Sequence, residues 1–379
     1  MALELGRRVA VVGVGCTPFG ELYEKSAEDL LCDAVDEALA DAGCERERIE
    51  AAWVGSVLSP FGGDALADAL KLFGRPITRV QNYCASGMDA FRNACLAVAA
   101  GMHDVVLAVG FEKMRDGGFA RPNRSHPVVD FGERAPHVFA LSANRYFNRY
   151  GAGKKTLAAV AVKNHRHGRL SPKAHLRMDV SEETVLQAPM VYSPLGLFDC
   201  CPTTDGAAAA LICRADIARS FRGAPVRPLG IGLAVVSGQP YYRPSFGYVG
   251  FEATVRAAEQ AYAQAGIGPD AVDFAEVHDC FTITEILTYE DLGFCRRGEG
   301  GRFVEEGRAS LGGEKPVNPS GGLKSYGHPI GATGVRMIYE LVTQLRGQAG
   351  ERQVQGARVG LAHNLGGPGA VACVSILGG

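Results

Sequence analysis

One helix-and-strand unit occurs twice in this chain, 223 residues apart and without a gap. Ala34-Val35-Asp36-Glu37-Ala38-Leu39-Ala40-Asp41-Ala42-Gly43 lies over Ala257-Ala258-Glu259-Gln260-Ala261-Tyr262-Ala263-Gln264-Ala265-Gly266. Beyond it Ile49 matches Val272, and Val54 matches Val277. The correspondence continues in kind. A helical run after Cys84 ends near Gly101 and feeds an apolar strand, Val105 to Gly110; another after Gly334 ends near Gly347 and feeds Val359 to Ala362. Two long, similar units imply a duplicated chain with two similarly folded halves. Strands alternating with helices argue for an α/β fold in which helices cover each sheet. At 379 residues the chain is long enough for two core-bearing units.

Local signals fill in the first half. Arg8 to Gly15 is short, β-branched and glycine-bounded, which reads as a buried strand. Its Gly13-x-Gly15 invites a dinucleotide reading, but Cys16-Thr17-Pro18-Phe19-Gly20 follows with a proline and no helix start, so that fingerprint fails. Ser26 caps a helix over Ala27 to Ala42, with Leu30, Leu31, Ala34, Val35, Ala38 and Leu39 on one face and Gly43 at its end. A second strand is expected over Ala51 to Val57. Between Arg115 and Pro194 the periodicity breaks down under Gly117-Gly118, Pro122, Pro127, Pro136, Pro172, Pro189 and Pro194. That length is too great for a structureless loop, so the segment should carry structure of its own. Asp205 to Cys213 reads as a helix-to-strand passage back into the first half.

Three stretches carry the chemistry. Gln81-Asn82-Tyr83-Cys84-Ala85-Ser86-Gly87-Met88 places a cysteine at or just before a helix N-terminus, since Ala90, Ala94, Ala97 and Val98 follow at helical spacing. The helix dipole and free N–H groups there favour a thiolate, the form that attacks carbonyls. Taken alone, Cys84 reads equally well as a small buried residue. The other two stretches are Glu276-Val277-His278-Asp279-Cys280-Phe281 and Gly327-His328-Pro329-Ile330-Gly331-Ala332-Thr333-Gly334. In this order the three resemble the thiolase superfamily, and within it the sterol-carrier-protein-type thiolases and their archaeal and bacterial relatives. The resemblance covers essentially the whole chain.

The resemblance implies a five-layer fold of two like α/β halves. Residues 1–114 and 195–222 would form the N-terminal half and 223–379 the C-terminal half. Residues 115–194 would be an inserted loop domain that covers the site and carries much of the coenzyme A contact. It implies an acyl-CoA C-acyltransferase that cleaves or forms 3-ketoacyl-CoA, with coenzyme A or acyl-CoA as substrate and no permanently bound cofactor or metal. By match to the family, Cys84 is the acylated nucleophile and His328 its base. Cys280 moves the proton at the α-carbon, and His278 donates to the enolate oxygen. Backbone N–H groups of Cys84 and of the turn Asn364-Leu365-Gly366-Gly367 are candidates for the acyl oxyanion. The commoner thiolases carry Asn-Glu-Ala-Phe where this chain has His278 to Phe281, and place their acid/base cysteine in a C-terminal Cys-x-Gly. Here that position reads His363-Asn364-Leu365-Gly366, so the cysteine has moved to position 280.

Other residues stay open at this stage. His363 either touches the site or orients Asn364, and Tyr326 either lines the acyl pocket or packs. His165 and His167, in Lys163 to Arg169, read as a solvated face, with contact to coenzyme A phosphates as the alternative. Cys373 sits in an apolar run and reads as core, whereas Cys200-Cys201 read as packing or pocket residues. Among relatives, some are steroid side-chain aldolases that work with a small OB-fold and zinc-ribbon partner, and others acylate phenolic carbon. The aldolases are not expected to need the nucleophilic cysteine, so retention of Cys84, Cys280 and His328 favours thiolase chemistry over them. It also argues against a non-catalytic acyl-CoA-binding scaffold. Thiolases are dimers or dimers of dimers, and the same is expected here.

Composition sets limits. Apolar content of 47 % and charged content of 21 % describe an ordinary globular chain, and a net charge of −2 gives no reason to expect nucleic acid or an anionic membrane as partner. No apolar run approaches the roughly 20 residues needed to span a bilayer. Eleven cysteines, an odd number with no Cys-x-x-Cys and no signal-peptide layout, read as reduced thiols in a cytoplasm.

Overall fold

The computed structural model describes residues 4–59, 63–116, 135–237 and 246–379. Two sheets organise them. The first has five strands in the order Val9–Cys16, Gly206–Arg214, Val105–Glu112, Ala51–Gly55, Ile77–Val80. The second has four, Arg227–Val235, Val371–Gly378, Val359–Gly366 and Phe274–Val277, and a parallel bridge from Ala275 to Val317 extends it at the same edge. Both sheets are antiparallel across their first three strands and parallel thereafter. The sequence repeat is therefore matched strand for strand in topology.

Why the repeat is rich in alanine becomes clear at the outer faces. Ala27–Ala42 lies on the first sheet and Glu252–Ala265 on the second. A Cβ at Gly13 or Gly15 would overlap the carbonyl oxygens of Ala38 and Ala34; one at Gly230 or Gly232 would overlap those of Ala261 and Ala257. Each outer helix thus rests its alanine stripe directly on a Gly-x-Gly in the first strand of its half. The Gly13-x-Gly15 pair serves helix-to-sheet approach. Ser26 closes a capping box with Asp29, and Gly43 ends the helix in the left-handed conformation (φ 61°).

Between the sheets lie two more helices, Ser86–Ala99 and Thr333–Leu345, which pack on each other and on both sheets. Of the first, only Arg92, Asn93 and Leu96 reach solvent, as expected for a helix surrounded by protein. Helix, sheet, paired helices, sheet and helix make the five layers. One large core spans the centre, and a second lies under Ala27–Ala42. No helix among the described residues is long and apolar enough to cross a membrane.

Three expectations need correction. The second strand stops at Gly55, two residues short of the expected Val57, because the chain there turns to donate N–H groups to Glu112. Residues 206–214 form one continuous strand of the first sheet, with no helical part. An alanine run favours helix in isolation, but here small side chains let helices pack closely on a central strand, and packing outweighs propensity. The segment Lys163 to Arg169 is no solvated face. It ends the helix Lys154–Arg169, and Lys163, Asn164, His165 and His167 are buried. The break in periodicity also holds the helices Ala135–Tyr150 and Glu182–Gln187 and a hairpin of Met190–Tyr192 with Leu195–Gly196. Gly117-Gly118, Pro122 and Pro127 lie outside the described residues.

The glycine contacts predict a stability effect. Gly232→Ala should lower unfolding free energy by about 2 kcal/mol, the range for an added methyl with no room to enter, read from urea midpoints at unchanged slope. A loss below about 0.5 kcal/mol, the range for an inconsequential substitution, would contradict the close-approach account.

Candidate active site

The segment before the first central helix is wound tightly. Tyr83 takes a left-handed backbone (φ 51°), Ser86 Oγ accepts the Asn82 N–H at 2.8 Å and donates to the Tyr83 carbonyl, and the Ala85 N–H reaches the Asn82 carbonyl. This presents Cys84 two residues ahead of Ser86, where the helix begins. Cys84 keeps a partly exposed edge, yet burial of its thiol dominates and, with a smaller push from Glu112, raises its pKa to about 11. The N–H groups of Gly367 and of Cys84 itself act the other way. The helix terminus therefore does not yield a standing thiolate, and the residue needs a base.

Two imidazoles face it. One donor atom from each of Cys84, His278 and His328 lies within 4.8 Å of the others, and the two rings meet edge to face at 5.0 Å. Opposite tautomers are assigned from their hydrogen bonds, with the Asn364 amide oriented NH2 toward His278. Thr333 Oγ1 donates to the Pro329 carbonyl (3.0 Å) and so accepts from His328 Nδ1–H at 2.7 Å, leaving His328 Nε2 with a free lone pair. Asn364 Nδ2 donates to His278 Nδ1 at 2.9 Å, and with the amide so placed the ring proton sits on Nε2. Both rings are neutral. Burial, aided by Arg336 and Lys324, depresses His328 to about 3. Burial, then His328, His363 and Arg336, holds His278 well below the imidazole range. The pair thus offers one acceptor and one donor.

Cys280 completes the group. It is 8 % exposed, its Sγ lies 3.7 Å from Thr284 Oγ1, and burial, then Cys201 and Cys84, lifts its thiol well above the usual value. Cys201 stands opposite it across a short antiparallel pairing: Cys200 bridges Phe281, and the Cys201 N–H donates to the Cys280 carbonyl at 3.0 Å. Burial raises the Cys201 thiol to about 12. Phe139 stacks on Phe281 at 4.6 Å, giving the site an apolar flank.

The scaffold behind these groups is polar and buried. Asp279 accepts from the Leu323 and Lys324 N–H groups (2.6 and 3.2 Å) and from Asn164 Nδ2 (2.8 Å). Burial, then Glu285, pushes its carboxyl up to about 7. Glu285 in turn pairs with Lys163 and accepts from Asn164 and Asn318, tying the Lys154–Arg169 helix to the back of the site. Glu276, just ahead of His278, pairs with Arg336 and accepts from Ser320. Removing one partner of such a pair typically costs about 3–5 kcal/mol, because a buried charge is left alone. Arg336, Lys324 and Glu112 escape a motif reading, and Thr333, inside the stretch Gly327 to Gly334, is given no role by it. The sequence signal for Arg336 is a charge inside the apolar run Val335 to Ile338.

The remaining candidates separate. Asn364 is in the site through its side chain, while the N–H that reaches Cys84 belongs to Gly367; Gly366 lies against the Asn82 carbonyl. His363 is buried, bonded to Thr254 Oγ1 at 2.9 Å, and close enough to act on His278. Tyr326 packs: Phe19 meets it edge-on at 5.1 Å, Arg336 lies over its ring, and Cys16 Sγ reaches its hydroxyl at 3.7 Å. His167 has both ring nitrogens bonded, to the Asn318 carbonyl and the Leu311 N–H, and His165 stacks edge-on against Phe198. Burial holds these two near 3 and 4, so neither brings positive charge to a phosphate. Cys373 is fully buried beside Cys95. A thiol and two imidazoles this close are also a donor set for a metal, but Arg336 and Lys324 make the surroundings positive, which suits a developing oxyanion and opposes a cation.

Residues 9–216 match the family model of the thiolase N-terminal domain, and residues 245–379 match the thiolase C-terminal domain-like model. The chain is 42 % identical to an acetyl-CoA acetyltransferase of Methanothermobacter thermautotrophicus, over 98 % of this chain and 99 % of that one. It is 38 % identical to sterol carrier protein 2 of Gallus gallus, over 96 % of this chain and 71 % of the other. Among solved structures, an Ltp2-ChsH2(DUF35) aldolase superposes with TM-score 0.89 at 26 % identity, covering 99 % of this chain and 98 % of that one. Human mitochondrial 3-ketoacyl-CoA thiolase shares the fold, with TM-score 0.75 at 20 % identity and 99 % of each chain covered.

The depressed histidines make a pH prediction. A ring that protonates near 3 stays neutral as pH falls through 6.5, where an ordinary histidine charges. Below pH 6, where the Asp279 carboxyl is already largely protonated, turnover per folded site should therefore stay level down to about pH 4.5. A tenfold fall per pH unit over that range, as for a base with an ordinary imidazole pKa, would contradict the neutral, buried pair.

Proposed function

This chain belongs to the thiolase family and is an acyl-CoA C-acyltransferase, and from that premise we propose that it cleaves or forms 3-ketoacyl-CoA through an acyl thioester on Cys84. The observation that carries the reading is the meeting of one thiol and two imidazoles at a single point, each imidazole held by a different hydrogen-bond partner. In the cleavage direction His328 Nε2 takes the Cys84 proton as Sγ attacks the 3-keto carbon. The C2–C3 bond breaks, its electron pair passing to the enolate of acetyl-CoA, whose oxygen accepts from His278 Nε2–H. Cys280 gives its proton to C2. A thiol whose pKa is raised by burial suits that step, because its acidity approaches that of the carbon acid it serves. The thiol of coenzyme A then returns a proton to Cys280 and takes the acyl group, and His328 returns its proton to Cys84. The Gly367 and Cys84 N–H groups hold the oxyanion at the acylated carbon.

Residues 115–194 serve in this reading as the inserted cover over the acyl-CoA, fastened by Lys163 and Asn164. Eleven unpaired cysteines suit a reducing cytoplasm, and assembly as a homodimer or dimer of dimers follows the family. A second reading, aldol cleavage of a bulky acyl-CoA with a small OB-fold partner, is favoured by the superposition on the aldolase assembly. The intact pair of Cys84 and Cys280 supports the first.

Incubation with acetyl-CoA should place one acetyl group on Cys84, seen by peptide mass spectrometry, and Cys84→Ala should abolish thiolysis of acetoacetyl-CoA. Cys280→Ser should still acetylate at Cys84 yet lose carbon–carbon bond formation by about 100-fold or more, the scale of a lost acid/base. Acetylation elsewhere, or thiolysis surviving in Cys84→Ala, would sink the thioester reading.

A further inference from the structure

Glu112 ends the strand Val105–Glu112, is fully buried, and forms no ion pair among the described residues. Its carboxylate collects five donors instead. Oε1 accepts from Ser56 Oγ (2.9 Å) and from the N–H groups of Leu58 (2.9 Å) and Ser59 (3.2 Å); Oε2 accepts from the N–H groups of Val57 (3.0 Å) and Gly331 (3.1 Å). Four of these come from the turn after the neighbouring strand Ala51–Gly55. The fifth comes from the other half of the molecule, from the turn that carries His328.

Packing around that fifth donor leaves little freedom. A Cβ at Gly331 would overlap the carbonyls of Gly55 and Phe111, and a Cβ at Gly87 or Gly110 would overlap the Gly331 carbonyl. Gly331 is therefore seated among residues of the first half, three positions after His328, while Gly87 lies three positions after Cys84. Pro329 has no N–H to offer, and the Ala332 and Thr333 N–H groups both bond back to the Pro329 carbonyl. Gly331 N–H to Glu112 is thus the turn's hydrogen bond across the seam.

We propose that Glu112 is a positioning residue for acyl transfer, clamping the His328-to-Gly331 turn of one half onto the other so that base and nucleophile meet. The inference rests on the reading of Cys84 and His328 as nucleophile and base. It concerns alignment: Glu112 is fully buried, and losing its charge would by itself ease ionisation of the Cys84 thiol, the opposite sign to the loss predicted. Loosening the clamp lets the imidazole drift from the thiol, and misplacement by about 1 Å is enough to cost on the order of 100-fold in rate. Glu112 is fully buried, out of reach of any bound coenzyme A, so the effect falls on kcat and spares KM.

Glu112→Gln tests this, since an amide keeps the length but turns an NH2 toward donors that need an acceptor. Turnover is expressed per site able to take an acetyl group on Cys84, with Ser56→Ala as control because it removes one donor and leaves Gly331 bonded. The expected result is kcat lower by about 10- to 100-fold, KM for coenzyme A within about threefold, and Ser56→Ala close to the parent. If Glu112→Gln does not fold, Glu112→Asp, which keeps the charge but withdraws it by one methylene, decides on the same readouts. Parent-like kcat, a loss explained wholly by fewer acylatable sites, or equal damage from Ser56→Ala overturns the clamp. Cys84→Ala, run alongside, separates the two claims: turnover surviving there sinks the thioester premise, whereas a dead Cys84→Ala beside a parent-like Glu112→Gln sinks the clamp alone.

Discussion

The structure depends on how closely two backbones approach at its centre. Gly331 of the second half sits against the carbonyls of Gly55 and Phe111, with Gly87 and Gly110 around it, and no side chain larger than hydrogen fits at those points. That contact brings the start of one central helix beside the start of the other. Because Cys84 precedes the first and His328 the second, the seam that joins the halves is also the place where the reactive groups meet. Fold and chemistry share one constraint.

The second constraint is dryness. Burial is the leading influence on Cys84, Cys280, His278 and His328 alike, and it favours the neutral form of each. A site made of neutral thiols and neutral imidazoles stores no charge at rest. Its specificity of role comes from hydrogen bonds one step back, Thr333 for His328 and Asn364 for His278. Charges lie further out, in Glu276 with Arg336 and in Glu285 with Lys163, where they brace the segments behind the histidines.

Much of this was legible in the sequence because duplication writes itself as a repeat. The alanine stripe at 34–42 and 257–265 announced two like halves, and the structure supplies its cause in the Gly-x-Gly of each first strand. Local motifs singled out Cys84, His278, Cys280 and His328, and the structure brings their side chains together. What could not be read were features set by contact across the chain. The alanine run at 207–210 looked helical until its place between two strands was known. Lys163 to His167 looked solvated because a charge run says nothing of the buried Glu285 that it meets. Glu112 gave no sign, since its five donors lie 53 to 219 residues away. The raised Cys84 thiol was also hidden, because helix position is visible in a sequence and desolvation is not.

The central claim is that two neutral imidazoles hold opposite tautomers before any substrate arrives. Nitrogen-15 NMR of the histidine rings in the free protein at neutral pH tests it most directly. The account predicts a protonated Nδ1 with bare Nε2 for His328, and the reverse for His278. Both rings in the same tautomer, or a signal of an imidazolium at either, would contradict it.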